Sequence, residues 1–500
     1  MPRIPLLAGT KVVIATAPDD ALVLRPPPPG ASVADVGAAV RDALRFPLEG
    51  DPLEALVRRR GRATIVVEPP SLPIPGATAD PRQLAIGAVV DELERLGIPT
   101  GYQTILVACG LARRTTQREL ENLVTRDLAR RFHGHVVIHD AEDPDLVVVD
   151  DGTRPVLRAS RAIVETELVL VVSAAETVLH GGPGALLAAA GADALRAAGA
   201  DSLLETSASQ GWHLGVALER ALARRLPVVG VSLVLNPPRT SGALRGYPYE
   251  PEALERVASS PLRHVFAALP DAARREILHS LQTDLSVAAA YAGPPSVAHA
   301  EALLRAVELR RAEVDGPLDA IVMGIPGTTP YLPREGPNPL LATYLGLGLA
   351  LRLWRDAFPV VEGGTAILAH RFTRTFAHPT QSPYRQFFHA SRIARDPELL
   401  AEAERAAATN QRGIDDYRGG RSVHPLLPFR DWNSCQPAIG RLGAVLVAGA
   451  ADATAVRHLG FVPVHGLGAA LDLARGRTSG TPRIGFLLSP PYFPLRVGKA

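Results

Sequence analysis

The residues best suited to chemistry are a glycine turn headed by a histidine and a scatter of further histidines and arginines. Leu179-His180-Gly181-Gly182-Pro183-Gly184 follows the apolar run ELVLVVSAAE and precedes a helix-like ALLAAAGADALRAAG. A glycine-rich turn between strand and helix presents backbone N–H groups to a phosphate or carboxylate and lets a ligand approach the main chain. The same spacing also suits a plain tight turn, because it is neither GxGxxG nor a Walker loop. His133, His135 and His139 share one face of a strand only if the chain runs through Gly134 without a bulge. The alternative there is a strand closing into the turn His139-Asp140-Ala141-Glu142-Asp143-Pro144, with solvated carboxylates. His213 stands beside Trp212 at the head of a helical segment, where a histidine is more often packed than catalytic. His370, Arg371, Arg374, His378, Arg385 and His389 form a second cluster, either surrounding an acidic substrate or making an exposed basic loop. HExxH, GxSxG and Ser-His-Asp spacings are missing, so a hydrolase has little support.

These residues are carried by alternating short apolar runs and longer amphipathic stretches, the α/β signature. Strands are expected over 63–67, 104–108, 135–139, 168–172 and 228–235, with helices over 81–96, 116–132 and 215–225. A long helix over 270–291, ending near Gly293-Pro294-Pro295, marks a domain boundary. The pattern then repeats, with strands over 320–323, 365–369, 444–447 and 484–488 and helices over 296–311, 338–358 and 453–459. The polar, His-, Arg- and Pro-rich segment 376–433 reads as irregular structure lining a cleft. The expected architecture is two Rossmann-like α/β domains, residues 1–280 and 281–500, with the site in the cleft between them.

Five hundred residues suffice for two or three domains, and 47% hydrophobic with 21% charged residues is ordinary for a soluble globular protein. A net charge of +2 with no basic block argues against nucleic acid as a partner. Cys109 and Cys435 are the only cysteines, too few for a disulfide framework or a cysteine-only metal site, and a reducing, cytoplasmic setting fits. The apolar stretch at the amino terminus is broken by Pro5, Lys11 and Pro18, so neither a signal peptide nor a spanning helix is expected. Lysine occurs only at positions 11 and 499.

Taken together, the blocks ATIVVEPPSLPIP, ERLGIPTGYQTILVACGLARRTTQRELE, VVIHDAEDPDLVVV, HGGPGALL, WHLGVALERAL, VSLVLN, GIPGTTPYLPREGPNP, VVEGGTAILAH, RDWN and LSPPYFPLRV resemble the nickel-pincer lactate racemase family. The resemblance implies two α/β domains and a phosphate-containing pyridinium that holds nickel, is joined to the protein through a lysine, and takes a hydride from the α-carbon of a 2-hydroxy acid. It would need a held metal, a base for the hydroxyl proton and cations for the substrate carboxylate.

Carried over residue by residue, the resemblance puts Gly184 at the position of the anchoring lysine, with Gly181 and Gly182 in the turn before it. The acid and clamping arginine of the motif Asp-x-Thr-Arg-Pro fall on Pro69 and Leu72, leaving Glu68 as the nearest acid. One general-base histidine becomes Ala112, with Arg113 retained beside it, and the nickel-side histidine position maps to Ala174, with His180 six residues on. Asn338 is retained while the lysine after it is Tyr344, and Trp432 and His213 match a late tryptophan and a helix-start histidine. Three readings follow. In the first, a divergent racemase, epimerase or oxidoreductase works on a 2-hydroxy acid or related polyol and holds the pincer non-covalently. His180, His213 and His378 would then serve as bases, His180 also as metal ligand, Gly181, Gly182, Gly184 and Trp432 would hold the cofactor, and Arg113, Asn338, Arg371 and Arg385 the substrate. In the second, the cleft takes another small acidic ligand for different chemistry. In the third, the chain is a non-catalytic relative. Small acidic molecules are the expected partners, without a membrane, and assembly with further copies of the chain stays open.

Overall fold

The computed structural model describes residues 2–73, 80–115, 123–327, 336–376, 378–390, 397–478 and 480–498. It contains two six-stranded sheets. The first runs, in spatial order, Val287–Gly293, Val228–Leu235, Leu168–Ala174, Ala63–Val67, Gln103–Val107, His135–Ile138. All neighbours are parallel except Val287–Gly293, which lies antiparallel to Val228–Leu235. Its central strands are charge-free and mostly apolar because both faces are covered. Ile65 and Val67 face one core with Ile86 and Val89 of the helix Arg82–Arg95, while Val66 and Val171 face the other with Leu214 and Leu218 of the helix Gln210–Ala223.

The second sheet runs Val462–Val464, Ala444–Ala448, Val360–Ala369, Leu318–Gly324, Ile484–Leu487, Leu22–Leu24, all parallel. A hairpin of Arg3–Ala8 and Lys11–Thr16 packs on one face, burying Ile4, Leu6 and Ala15 against Val322 and Ile367. Sheet membership therefore does not change at residue 281, where the sequence suggests a boundary. Leu22–Leu24 belongs to the second sheet and Val287–Gly293 to the first.

The helix expected over 270–291 stops at His279. Residues 287–293 form a strand instead, because pairing with Val228–Leu235 outweighs the helix propensity of three consecutive alanines. The stretch 338–358 is likewise broken into Pro339–Thr343, a π-helical turn Tyr344–Leu349, a 3₁₀ turn Ala350–Arg352 and the short strand Trp354–Arg355. Residues 376–433 are largely helical, over Ser382–Ala390, Pro397–Ala408, Gln411–Arg418 and the start of Leu427–Arg441. Most of their polar residues take the solvent faces, and Tyr384, Phe387, Tyr417 and Phe429 point into the core, with buried Asp431 accepting from the Tyr384 hydroxyl. Of the helix expected over 116–132, residues 116–122 lie outside the described residues, 123–125 are not helical, and Arg126–Arg131 is a short helix capped by Thr125.

Candidate active site

In an open parallel sheet, ligands bind beyond the carboxyl ends of the strands where the strand order reverses. In the first sheet that point lies between Ala63–Val67 and Leu168–Ala174, since the chain builds outward from Ala63–Val67 to one side and then returns to its other side. The first charged residues beyond these two strands are Glu68 and Glu176. Both carboxyls turn into the crevice with His180, and the main chain holds them there.

Glu68 Oε2 accepts the Gly181 N–H at 2.8 Å. Glu68 is half-buried as a residue. Desolvation of its carboxyl, reinforced by nearby Glu176, outweighs the Gly181 bond and the charges of Arg82 and Arg430, and its pKa is raised to about 8. Glu176 Oε2 accepts from Ser71 N and Oγ at 2.8 and 2.6 Å, and its Oε1 lies 3.3 Å from Arg82 Nη2. Arg82 also forks onto Asp80, with Nη2 2.6 Å from Oδ2. Burial alone would raise the Asp80 carboxyl, but the charge and hydrogen bonds of Arg82 hold it below its usual range. Asp80, Arg82 and Glu176 thus form a buried ion-paired wall, with Glu68 as the carboxyl that has no ion pair among the described residues.

His180 Nδ1 lies 2.9 Å from Thr177 Oγ1, which also accepts the Leu179 N–H. Thr177 is fully buried, and its hydroxyl proton is therefore assigned to His180 Nδ1, which leaves the ring proton on Nε2. Desolvation, then the positive charge of Arg430, push this imidazole down to about 3, so it is neutral at pH 7. Arg430, half-buried on the helix Leu427–Arg441, acts electrostatically on both Glu68 and His180 and brings the second half of the chain to the crevice.

The glycine turn is held from behind by His299, whose Nδ1 lies 3.0 Å from Ser232 Oγ and Nε2 3.0 Å from the Thr177 carbonyl. Gly181 and Gly182 have φ of 86° and 50°, and a Cβ on either would come within 2.4 Å of His299. The turn is not an open anion seat. Gly181 N–H goes to Glu68, Gly182 N–H to Ser173 Oγ at 3.1 Å, and Gly184 N–H to the Gly181 carbonyl. A protein carboxyl takes the place that an anion would have.

The other sequence-predicted residues are dispersed. His213 is exposed on the first turn of its helix, 3.2 Å from the Ser207 carbonyl. Asn338 is fully buried as the cap of Pro339–Thr343, accepting from Leu340 N and Leu341 N and donating to Gln381, which occupies it structurally. Trp432 is buried beside Phe387. Arg371, His378 and Arg385 are exposed, with His378 Nδ1 accepting from Thr380 N. Arg113 is half-buried beyond the strand Gln103–Val107. His139 is buried with Nε2 2.9 Å from the Ala190 carbonyl, while His133 and His135 are exposed, so the three do not converge. Reasoning from sequence missed Arg82, Glu176, His299 and Arg430. For Glu176 a signal existed, since it is the first charge after a buried parallel strand, but nothing local marks the other three.

Two sheets of this kind, with an acid and an imidazole side by side at a switch point, define a Rossmann-like α/β scaffold. Residues 9–177 match the model of the lactate racemase N-terminal domain, so that part of the chain is similar to it. The lactate racemase apoprotein from Thermoanaerobacterium thermosaccharolyticum shares the fold, with a TM-score of 0.62 at 16% identity over 99% of this chain and 100% of that one. A protein from Thermotoga maritima aligns with a TM-score of 0.49 at 12% identity, over 94% of this chain and 100% of that one. No curated protein matches by sequence.

The family uses a nickel cofactor. Position 184 does not suit a lysine link to it, because a Cβ built on Gly184 lies 2.6 Å from the Leu179 carbonyl oxygen and 2.7 Å from its carbon. Among the described residues no three His, Cys, Asp or Glu side chains gather as a metal site. The residues present do not fit a lysine-linked nickel-pincer nucleotide.

Proposed function

We propose that this lactate racemase relative is an isomerase that binds a small acid of the 2-hydroxy acid or polyol-acid class at the first switch point and moves a proton on it. The observation that carries this reading is the Glu68 carboxyl, bonded to the Gly181 N–H next to His180 and without an ion pair among the described residues, with the charge of Arg430 acting on both groups. A carboxyl with a pKa of about 8 loses and regains a proton near neutral pH, as a general base must. A neutral imidazole with its proton on Nε2 donates a hydrogen bond without carrying charge, and so polarises a substrate oxygen. Arg430 supplies the positive charge for the substrate carboxylate. Glu68 removes the proton from the carbon beside that carboxylate, the developing negative charge falls toward His180 and Arg430, and the same carboxyl returns a proton.

The test is wash-out of the α-proton in deuterated water, followed by NMR, across a panel of 2-hydroxy and sugar acids. Glu68→Gln should abolish exchange while leaving binding intact, and Arg430→Gln should weaken binding. Stoichiometric nickel after co-expression with the pincer-nucleotide biosynthetic enzymes, with turnover that depends on it, would replace this reading with hydride transfer.

A further inference from the structure

A deep apolar pocket lies between the carboxyl ends of the two sheets, walled by Leu7, Val12, Leu72, Pro238, Leu244 and Leu278. Most polar groups on its walls are satisfied by the protein. Tyr247 and Tyr249 donate to the Pro5 and Pro238 carbonyls, Thr240 donates to the Leu244 carbonyl, and Ser489 Oγ accepts from Leu7 N. Two groups stand apart. Arg310, at the end of the helix Pro295–Arg310, is 9% exposed, and among the described residues its guanidinium makes one hydrogen bond, Nη2 to the Tyr492 carbonyl at 3.3 Å. No carboxylate among the described residues lies within ion-pairing distance of it. Tyr492, 5% exposed on the same wall, has a hydroxyl with no hydrogen-bond partner among the described residues.

A guanidinium removed from water is costly unless an anion meets it, and an unpaired phenol adds to that cost. One cation in an otherwise apolar chamber calls for one negative charge on an apolar body. A phosphate, with more charge and more acceptors, would find too few donors. We infer that this pocket is a second ligand site, taking an apolar monocarboxylate with its carboxylate on Arg310 and its hydrocarbon part along the Leu7–Leu244 walls. The inference does not depend on the proposed isomerase reading, because Arg310 and Glu68 line different cavities.

Calorimetric titration of the full chain with octanoate and with 1-octanol tests it. Octanoate should bind at least about ten-fold more tightly than octanol, a charge-assisted contribution of about 1.4 kcal/mol. Arg310→Gln should erase that preference. Leu244→Trp, on the half-buried wall, should block octanoate with Arg310 intact, so the test survives if the buried substitution fails to fold. Glu68→Gln should leave octanoate binding unchanged even where it abolishes proton exchange. Equal binding of octanol and octanoate, octanoate binding unaffected by both pocket variants, no octanoate binding at all, or loss of octanoate binding in Glu68→Gln would each overturn the assignment.

Discussion

Both sheets have a switch point, and the chain treats the two in opposite ways. In the first, Glu68, Glu176 and His180 project into a crevice that Arg430 approaches from the other half of the molecule. In the second, which falls between Leu318–Gly324 and Ile484–Leu487, the N-terminal hairpin fills the space. Leu7 N–H donates to Ser489 Oγ at 2.9 Å, Gly9 N–H to the Ile325 carbonyl at 2.7 Å, and a Cβ on Gly324 would lie 2.7 Å from the Leu7 carbonyl. The same topological opening is bordered by ionisable side chains in one sheet and by the backbone of the hairpin in the other. Topology offers a site, and the residues that follow the strands decide whether it is used.

The largest expected effect is at Glu68. Proton exchange on the substrate should rise with pH through about 8 as this carboxyl ionises, and Glu68→Gln should remove that limb and lower the rate by roughly 10²–10⁴-fold, read from pH–rate profiles. The raised carboxyl also has a stability signature. The folded state holds its proton between the unfolded value of 4.5 and about 8, so stability falls as pH rises through that window, and the glutamine variant should lose this dependence in denaturant titrations.

Next is the backbone of the open site. Gly182→Ala has to place a Cβ against His299 at a φ of 50°, and should cost roughly 3 kcal/mol, seen as a lowered Tm, with binding lost. Buried neutral histidines in both halves, His139, His299 and His370, are held down to about 4 chiefly by desolvation. The unfolded chain binds those protons first, so stability should fall as pH drops from 6.5 toward 4, by about 1.4 kcal/mol per pH unit for each histidine. Unfolding midpoints of His299→Gln and His370→Gln across that range separate the two halves. The smallest effect is at the closed switch point. Ser489→Ala removes the acceptor of Leu7 N–H and should cost about 1 kcal/mol without altering proton exchange.

Much of this framework is legible in the sequence. Ala63–Val67 and Val228–Leu235 stand where their mostly apolar, charge-free runs put them, since a strand buried on both faces carries no charged residue to blur its ends. The helices of 376–433 are obscured because short amphipathic helices with arginine-rich outer faces look like loops until their buried aromatic residues are seen together. The candidate site is less legible. His180 and the glycine turn are local features, and Glu68 is noticeable as the acid left beside a lost motif. Arg82, His299 and Arg430 reach the crevice from helices far apart in the chain, and spacing carries no record of that. Asn338 shows the converse, a residue that matches the family and yet spends its side chain on capping a helix.

The strand Leu22–Leu24 pairs with Ile484–Leu487, so a segment is locked by one made much later. The second sheet cannot close during synthesis until Ile484–Leu487 has left the ribosome. The first sheet, whose strands lie between residues 63 and 293, can assemble well before that. A nascent chain would then carry its acid–base crevice on a formed sheet while the N-terminal hairpin, with Ile4 and Leu6 still uncovered, waits for its partner.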